Sequence, residues 1–250
     1  PTATHYARNA LFSGMMPLEM QKKHPELWVN ENEEGGKNLN EADFLKAQLE
    51  RNGIHSQFGY SKITNLKAGK ELSQSLHNHQ KEDLMVVVYN FVDMISHAKT
   101  EMEIIKELAS DNKAFRSLTF SWFKNSPLFE IIQQARKLDF NLIITTDHGT
   151  INVDQAIEIK GDRKVSMNLR YKAGQSLSYN AKSVMEVNDP RAIQLPAPHL
   201  NSKFIFATEQ QYFVYQNNFN HYANHFRNTF QHGGISMEEM IIPFVVMRPR

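Results

Sequence analysis

The sequence predicts an α/β protein in which a mixed sheet is flanked by helices, with an inserted irregular or antiparallel segment around residues 151–200. Three features carry that expectation. Two apolar runs rich in β-branched residues, 84–89 and 140–144, read as buried strands. Segments with helical period lie before and between them. From Ile151 to Pro198 the character changes, and Gly161, Gly174, Pro190, Pro196 and Pro198 break the chain into short pieces.

Taken in order, residues 4–11 read as a helix with Thr4 as N-cap and Gly14 as its end. Residues 15–40, with Pro17, Pro25, Gly35, Gly36 and an acidic run at 31–34, suggest a surface loop with short helical pieces. Residues 41–52 are amphipathic through Phe44, Leu45 and Leu49, with Gly53 as a C-terminal stop. Residues 55–81 are polar and read as irregular, with helix near 70–79, before a strand at 84–90. Helices are expected at 100–111 and 114–137, the second broken at Ser126-Pro127. A second strand follows at 141–146, and the insertion is expected to hold a strand at 164–171. Residues 203–208 and 211–216 resemble a hairpin about Glu209-Gln210. After a His/Asn-rich stretch read as a solvated loop, residues 237–247 suggest a final strand with Pro243 at an edge or bulge.

Composition restricts the function classes. The 250 residues suffice for one large domain, and 41% hydrophobic with 22% charged residues is ordinary globular protein. A formal net charge of +1 gives no general polyanion signal, so phosphate recognition would have to be local. With no cysteine, disulfides, thiolate ligands and a cysteine nucleophile are excluded, and the redox compartment stays open. No apolar run approaches the ~20 residues of a membrane helix, and the start carries no signal-peptide pattern. The expectation is a cytoplasmic protein without a membrane segment, and a start without Met reads as a fragment of something longer.

The chemistry concentrates in Asp147-His148-Gly149 and Asp93-Met94-Ile95-Ser96-His97. Each pair follows an expected strand, at the sheet edge where α/β proteins bind ligands. Carboxylate with imidazole is a usual ligand set for Zn²⁺, Mn²⁺ or Fe²⁺, and two pairs on neighbouring strand ends suggest a two-metal hydrolytic or phosphoryl-transfer site. Asp93 and His97, at i and i+4, share a face if the strand runs into a helical turn. Asp147 and His148 need an irregular loop, which Gly149 permits. Arg163, Lys164, Arg170 and Lys172 are candidates for a basic lip on substrate phosphate, against the plainer reading of a solvated face. His221 and His225 have the spacing of a metal pair, but their Asn-rich surroundings favour a solvated polar loop. His199 reads as structural or substrate-facing.

Five segments together resemble one family. They are Pro1-Thr2-Ala3-Thr4 with Ala7-Arg8-Asn9-Ala10, the stretch 90–101, Thr145-Thr146-Asp147-His148-Gly149-Thr150, Asn168-Leu169-Arg170-Tyr171-Lys172, and the stretch 231–240 containing His232-Gly233-Gly234. Over residues 1–250 the chain looks like the PglZ-type domain of the alkaline phosphatase superfamily, as found in effector domains of PorX-like response regulators of Bacteroidetes, associated with type IX secretion. The resemblance implies an alkaline-phosphatase-like fold with a binuclear site, usually zinc, and a Ser or Thr nucleophile. It implies Asp93, His97 and His232 on one ion, and Asp147, His148 and the nucleophile hydroxyl on the other. The family also gives the second ion an Asp from the end of its first strand, which would precede Pro1. The domain is thus expected to lack its first strand, and the half built on Asp147 and His148 is the one expected to be empty.

Thr4 is preferred to Thr2 as nucleophile, because the related Pro-Thr-x-Thr pattern of nucleotide phosphodiesterases uses its second Thr. The plainer reading of Thr4 is a helix cap. The resulting expectation is a zinc-dependent phosphodiesterase or phosphatase on nucleotide-type phosphoesters, cyclic or linear oligonucleotides among them. Its alternative is a regulatory interaction module with a structural zinc centre, acting as a homodimer or through a sigma factor or a secretion-motor component.

Overall fold

The computed structural model describes residues 1–109, 111–161, 166–197, 199 and 201–249, apart from the side chains of Val92, Asp93, His97 and Glu103. The order of elements is α1 (Thr4–Ser13), α2 (Pro17–Lys23), α3 (Glu41–Arg51), β1 (Phe58–Ile63), α4 (Leu66–Ser75), β2 (Leu84–Tyr89), α5 (Phe91–Glu101), α6 (Glu103–Leu108), α7 (Asn112–Lys124), α8 (Pro127–Lys137) and β3 (Leu142–Thr145). Then come β4 (Ile151–Val153), β5 (Gln155–Gly161), β6 (Tyr171–Gly174), β7 (Leu177–Ser178), β8 (Val184–Val187), β9 (Lys203–Ala207), β10 (Gln211–Tyr215), α9 (Phe219–Phe226), β11 (Thr229–Gln231), α10 (Met237–Met240) and β12 (Phe244–Met247). This is mixed α/β, as the alternation of elements predicts. The chain forms two compact units, one of Pro1–Gly53 with Thr146–Ile242, the other of Ile54–Thr145 with Pro243–Arg250.

In the second unit, β1 and β2 pair in parallel with Phe58 opposite Leu84 and Ile63 opposite Tyr89. β3 pairs antiparallel with β12. Ile63, Leu72, Leu76, Ile131 and Ala135 form its buried cluster, joining α4 and α8 to β1. β1 is a strand that the polar stretch 55–81 concealed. Its sequence, Phe-Gly-Tyr-Ser-Lys-Ile, has no continuous apolar run, and its pairing to β2 makes it a strand. The helix expected at 100–111 is divided instead between the end of α5 and α6. The break at Ser126-Pro127 is as expected: Ser126 Oγ caps α8 by accepting from Phe129 N, and Pro127 fills its first turn. Asp93 and His97 lie one turn apart on α5, as their spacing predicts.

The first unit carries most of the strands. β6, β8 and β9 form one antiparallel sheet with β9 central, while β10 pairs in parallel with β5, which also pairs with β7. Two buried clusters fill it: Ile157, Ile159, Ile205, Ala207 and Phe213 in one, and Ile151, Val153, Tyr212 and Val214 in the other. The hairpin expected about Glu209-Gln210 is a turn without a hairpin. Gln211 N donates to Thr208 O across it, but β9 and β10 leave in separate sheets. Both strands are buried on two faces, so each needs different neighbours, and a local turn signal cannot report that. The strand expected at 164–171 is also displaced: residues 164–165 lie outside the described set, 166–170 belong to no strand, and β6 begins at Tyr171. The His/Asn-rich loop contains α9, with Tyr222 and Phe226 stacked along it.

Several ionisable groups are buried within this unit, Lys172 and the tyrosines Tyr6 and Tyr171 among them. Tyr6 and Tyr171 both donate to the Glu31 carboxylate. Lys172, opposite Ile205 in the sheet, is 1% exposed; its Nζ donates to Ser166 O at 2.9 Å and lies 4.6 Å from the Tyr215 ring centroid. Burial lowers the Lys172 amine from 10.5 to about 7, with the Glu31 charge opposing. An unfolded chain therefore binds this proton between about pH 7 and 10.5 while the folded one does not, so Lys172 makes folding less favourable at low pH and the penalty fades as pH rises. Above pH 10 the effect of Tyr6 and Tyr171, held protonated by burial, runs the other way. Chemical denaturation of the wild type should accordingly give a stability that climbs from pH 7 to 10 relative to Lys172→Met. Parallel pH profiles for the two proteins would contradict this account.

Candidate active site

Helix α1 starts one residue earlier than a Thr4 cap would have it. Ala3 is the N-cap, in extended conformation, and Thr4 is the first helical residue. The Thr4 hydroxyl is thereby released from capping and lies 3.2 Å from His148 Nε2. The first turn of α1 holds no acidic residue, so its positive end is uncompensated beside that hydroxyl. The peptide after Thr4 is held by Asn38, whose Nδ2 donates to Thr4 O at 3.1 Å.

Asp147, His148 and Gly149 form the irregular loop that the sequence requires after β3. Gly149 N donates to Glu239 O at 2.8 Å, and a Cβ at position 149 would collide with the Glu238 carbonyl oxygen. Glycine is needed here for the close approach of the α10 backbone. His148 Nδ1 lies 3.0 Å from Gly149 O. A carbonyl only accepts, so Nδ1 carries the proton, and in the neutral ring the Nε2 lone pair faces Thr4. Asp147 Oδ2 is 3.7 Å from the same Nε2 and accepts from Arg8 Nε at 3.0 Å.

His232 follows β11 and stacks on His148 with ring centroids 3.8 Å apart and planes 8° apart. Its Nδ1 is directed at Thr2 O, 3.4 Å away. Thr2 is the pin of this corner. Its amide and its hydroxyl both donate to Gly234 O, and its hydroxyl accepts from Gly233 N. Those three bonds commit Thr2 to structure, leaving Thr4 as the hydroxyl that faces the imidazole. Gly233 has φ +114°, and the Asn168 side chain closes the space where a Cβ would stand while donating to His232 O at 3.1 Å.

Arg170 and Lys172, expected to face substrate phosphate, are buried in the fold. The Arg170 side chain is fully enclosed: Nε and Nη2 donate to Glu239 at 3.3 and 3.0 Å, and Nη1 to Gln211 O. Glu239 also accepts from Gly234 N and Ser236 N. Burial alone would push its carboxyl up, but the Arg170 bonds and charge, with those two amides, hold it below 4.5. Of the other two basic candidates, Arg163 and Lys164 lie outside the described residues. His199 sits in a tight turn closed by Ser202, whose Oγ accepts from His199 N.

Among the described residues no three His, Asp or Glu side chains stand together in metal-holding geometry. A hydroxyl enlarges the donor set. Thr4 Oγ1 and Asp147 Oδ2 lie 3.2 and 3.7 Å from His148 Nε2, distances close to the ~3.3 Å edge of a tetrahedral zinc site. Nδ1 of His148 is tied to a backbone carbonyl, the arrangement by which proteins fix a metal-binding tautomer. These residues fit one divalent ion. Arg8, to which the sequence alone assigns no role, is the cation on Asp147. Its only signal is its position four residues after Thr4, on the same face of α1.

The chain matches the BREX system PglZ alkaline phosphatase-like domain over residues 1–247, and it belongs to that family. In three dimensions it is similar to the phosphonoacetate hydrolase of Sinorhizobium meliloti, solved with phosphonoformate, at 11% identity and a TM-score of 0.42. That likeness covers 74% of this chain and 51% of the other, so the chain spans about half of that protein's length. No curated protein matches in sequence. No helix among the described residues is long and apolar enough to cross a membrane.

Breaking a buried ion pair on one side strands a charge, at about 3–5 kcal/mol. Arg170→Met should lower stability in urea by that amount, and the double replacement of Arg170 and Glu239 by Met should recover much of it. Full stability in the single variant would show that the pair is dispensable.

Proposed function

We propose that this domain is a metal-dependent phosphodiesterase or phosphatase acting on nucleotide-type phosphoesters, with Thr4 as nucleophile. The observation that carries this reading is the Thr4 hydroxyl, 3.2 Å from His148 Nε2 at the positive end of α1. Asp147 and His148, with Thr4, would hold one zinc ion. Asp93 and His97 enter the reading from the family resemblance alone, as ligands with His232 of a second. Bound divalent ions would lower the pKa of the nucleophile and offset charge on phosphoryl oxygens.

Thr4 Oγ1 would attack phosphorus in line with the ester oxygen, which leaves with its electron pair. With the His148 Nε2 lone pair committed to the ion, the hydroxyl proton would leave to water before the attack. Water would then cleave the phosphothreonine, releasing phosphate or a phosphomonoester and restoring Thr4. The N-terminal amides of α1 favour the negative phosphoryl group throughout. The physiological setting we assign is the cytoplasm, as the effector domain of a response regulator of the type IX secretion system. Its partners there would be a sigma factor or a secretion-motor component, and homodimerisation is part of the same proposal.

Elemental analysis of the intact domain should give about two zinc ions per chain, and His97→Ala should remove about one. Thr4→Val should abolish hydrolysis of bis-p-nitrophenyl phosphate with the melting temperature unchanged. Thr2→Val should instead lower the melting temperature. Undiminished turnover in Thr4→Val would eliminate Thr4 as nucleophile, and bound zinc without turnover in the wild type would support the regulatory-module alternative.

A further inference from the structure

Arg8 joins two carboxylates that are distant in sequence. Its Nε donates to Asp147 Oδ2 at 3.0 Å, and its Nη1 lies 3.6 Å from Glu41 Oε1. All three side chains are withdrawn from water, at 9% exposure for Arg8, 10% for Asp147 and 1% for Glu41. Arg8 stands one turn after Thr4 on α1, so the guanidinium and the hydroxyl reach the Asp147-His148 loop from one helix face. Glu41 opens α3, where the helix dipole favours a carboxylate, and α3 packs on α1.

A guanidinium alone beside a cation site would repel the ion it is meant to serve. With Glu41 behind it, the row reads minus, plus, minus, and a net negative charge faces the ion. The planar fork of Arg8 also fixes the rotation of the Asp147 carboxylate, because Nε–H is directional and the second branch is anchored by Glu41. A lysine ammonium has three donors but no planar fork, so it would not fix the rotation of the carboxylate.

We propose that Glu41 and Arg8 are positioning residues for the metal ligand Asp147: Arg8 orients the carboxylate, and Glu41 neutralises Arg8 so that its charge does not oppose the ion. The inference rests on Asp147 being a metal ligand as proposed above. Neither residue need touch substrate. Partners of a ligating carboxylate usually set metal affinity by about 10–100-fold.

The test is zinc affinity of the full chain, measured by competition with a chromogenic chelator, with a melting curve for each variant. Arg8→Gln should weaken zinc binding by about 10–100-fold. Glu41→Gln should also weaken it, although Glu41 lies outside the Asp147-His148 loop. The double variant should be no weaker than Arg8→Gln alone, since Glu41 acts through Arg8; a merely structural effect of Glu41 would add to the loss. Should Arg8→Gln fail to fold, Arg8→Lys takes its place, and wild-type affinity in it would overturn the inference. So would tighter zinc binding in Arg8→Gln, the sign expected if Arg8 only competes with the ion for Asp147. Asp147→Asn with wild-type affinity would remove the metal assignment itself, and this inference with it. Loss of affinity in Asp147→Asn, with none in Arg8→Gln, would overturn the inference and leave that assignment standing.

Discussion

The buried pair between Arg170 and Glu239 is the interaction on which the candidate site depends. Both side chains are fully enclosed, so neither charge can turn to water if the other moves. Glu239 carries three segments with it. Its carboxylate binds the amides of Gly234 and Ser236, fixing the turn after His232. Its own carbonyl accepts from Gly149 N, fixing the turn after His148. Arg170, for its part, holds the chain at the start of β6 and reaches Gln211 O. Displacing this pair would separate the loops whose imidazoles stack 3.8 Å apart. A charge-assisted, multiply bonded pair suits that task, because its geometry is far more restrictive than an apolar contact of similar size.

Around it, small residues set the distances. Gly149 lets the α10 backbone come within hydrogen-bonding range, and Gly233 adopts the backbone angle that packs Asn168 under the His232 turn. Thr2 then ties the start of the chain to Gly234, which brings Thr4 and the first turn of α1 against His148. The second row, Glu41, Arg8 and Asp147, is laid against the same loop from α1 and α3. Thus the two ion pairs have different duties: one fixes the loops to each other, and the other fixes a single carboxylate within one loop.

Much of the backbone was legible in the residues. Thr4 to Gly14, the amphipathic stretch beginning at Glu41, Pro127 after Ser126 and the apolar run at 84–89 each declare an element through caps, period or β-branching. Strands without such marks were not legible. β1 has no continuous apolar run and becomes a strand through β2, and β9 and β10 carry a hairpin's turn but are drawn into separate sheets. Of the site, Asp147, His148, His232 and Thr4 could be named from chemistry and order. Arg8 and Glu41 could not, since a charged residue on a helix is ordinarily solvated.

By itself the sequence determined the α/β class and the family, and it marked the candidates for ligating or nucleophilic chemistry, because those follow from residue type, local spacing and motif order. Tertiary structure alone decided what each polar group is bonded to. It made Ala3 rather than Thr4 the helix cap, turned the Thr4 hydroxyl to His148, and committed Thr2 to Gly233 and Gly234. It also drew Arg170 and Lys172 inward, the former onto Glu239 and the latter onto Ser166 O. The reason is physical: a lysine or arginine reads the same in sequence whether it faces water or a buried partner, and only the folded chain supplies that partner and the burial that makes the pairing obligatory.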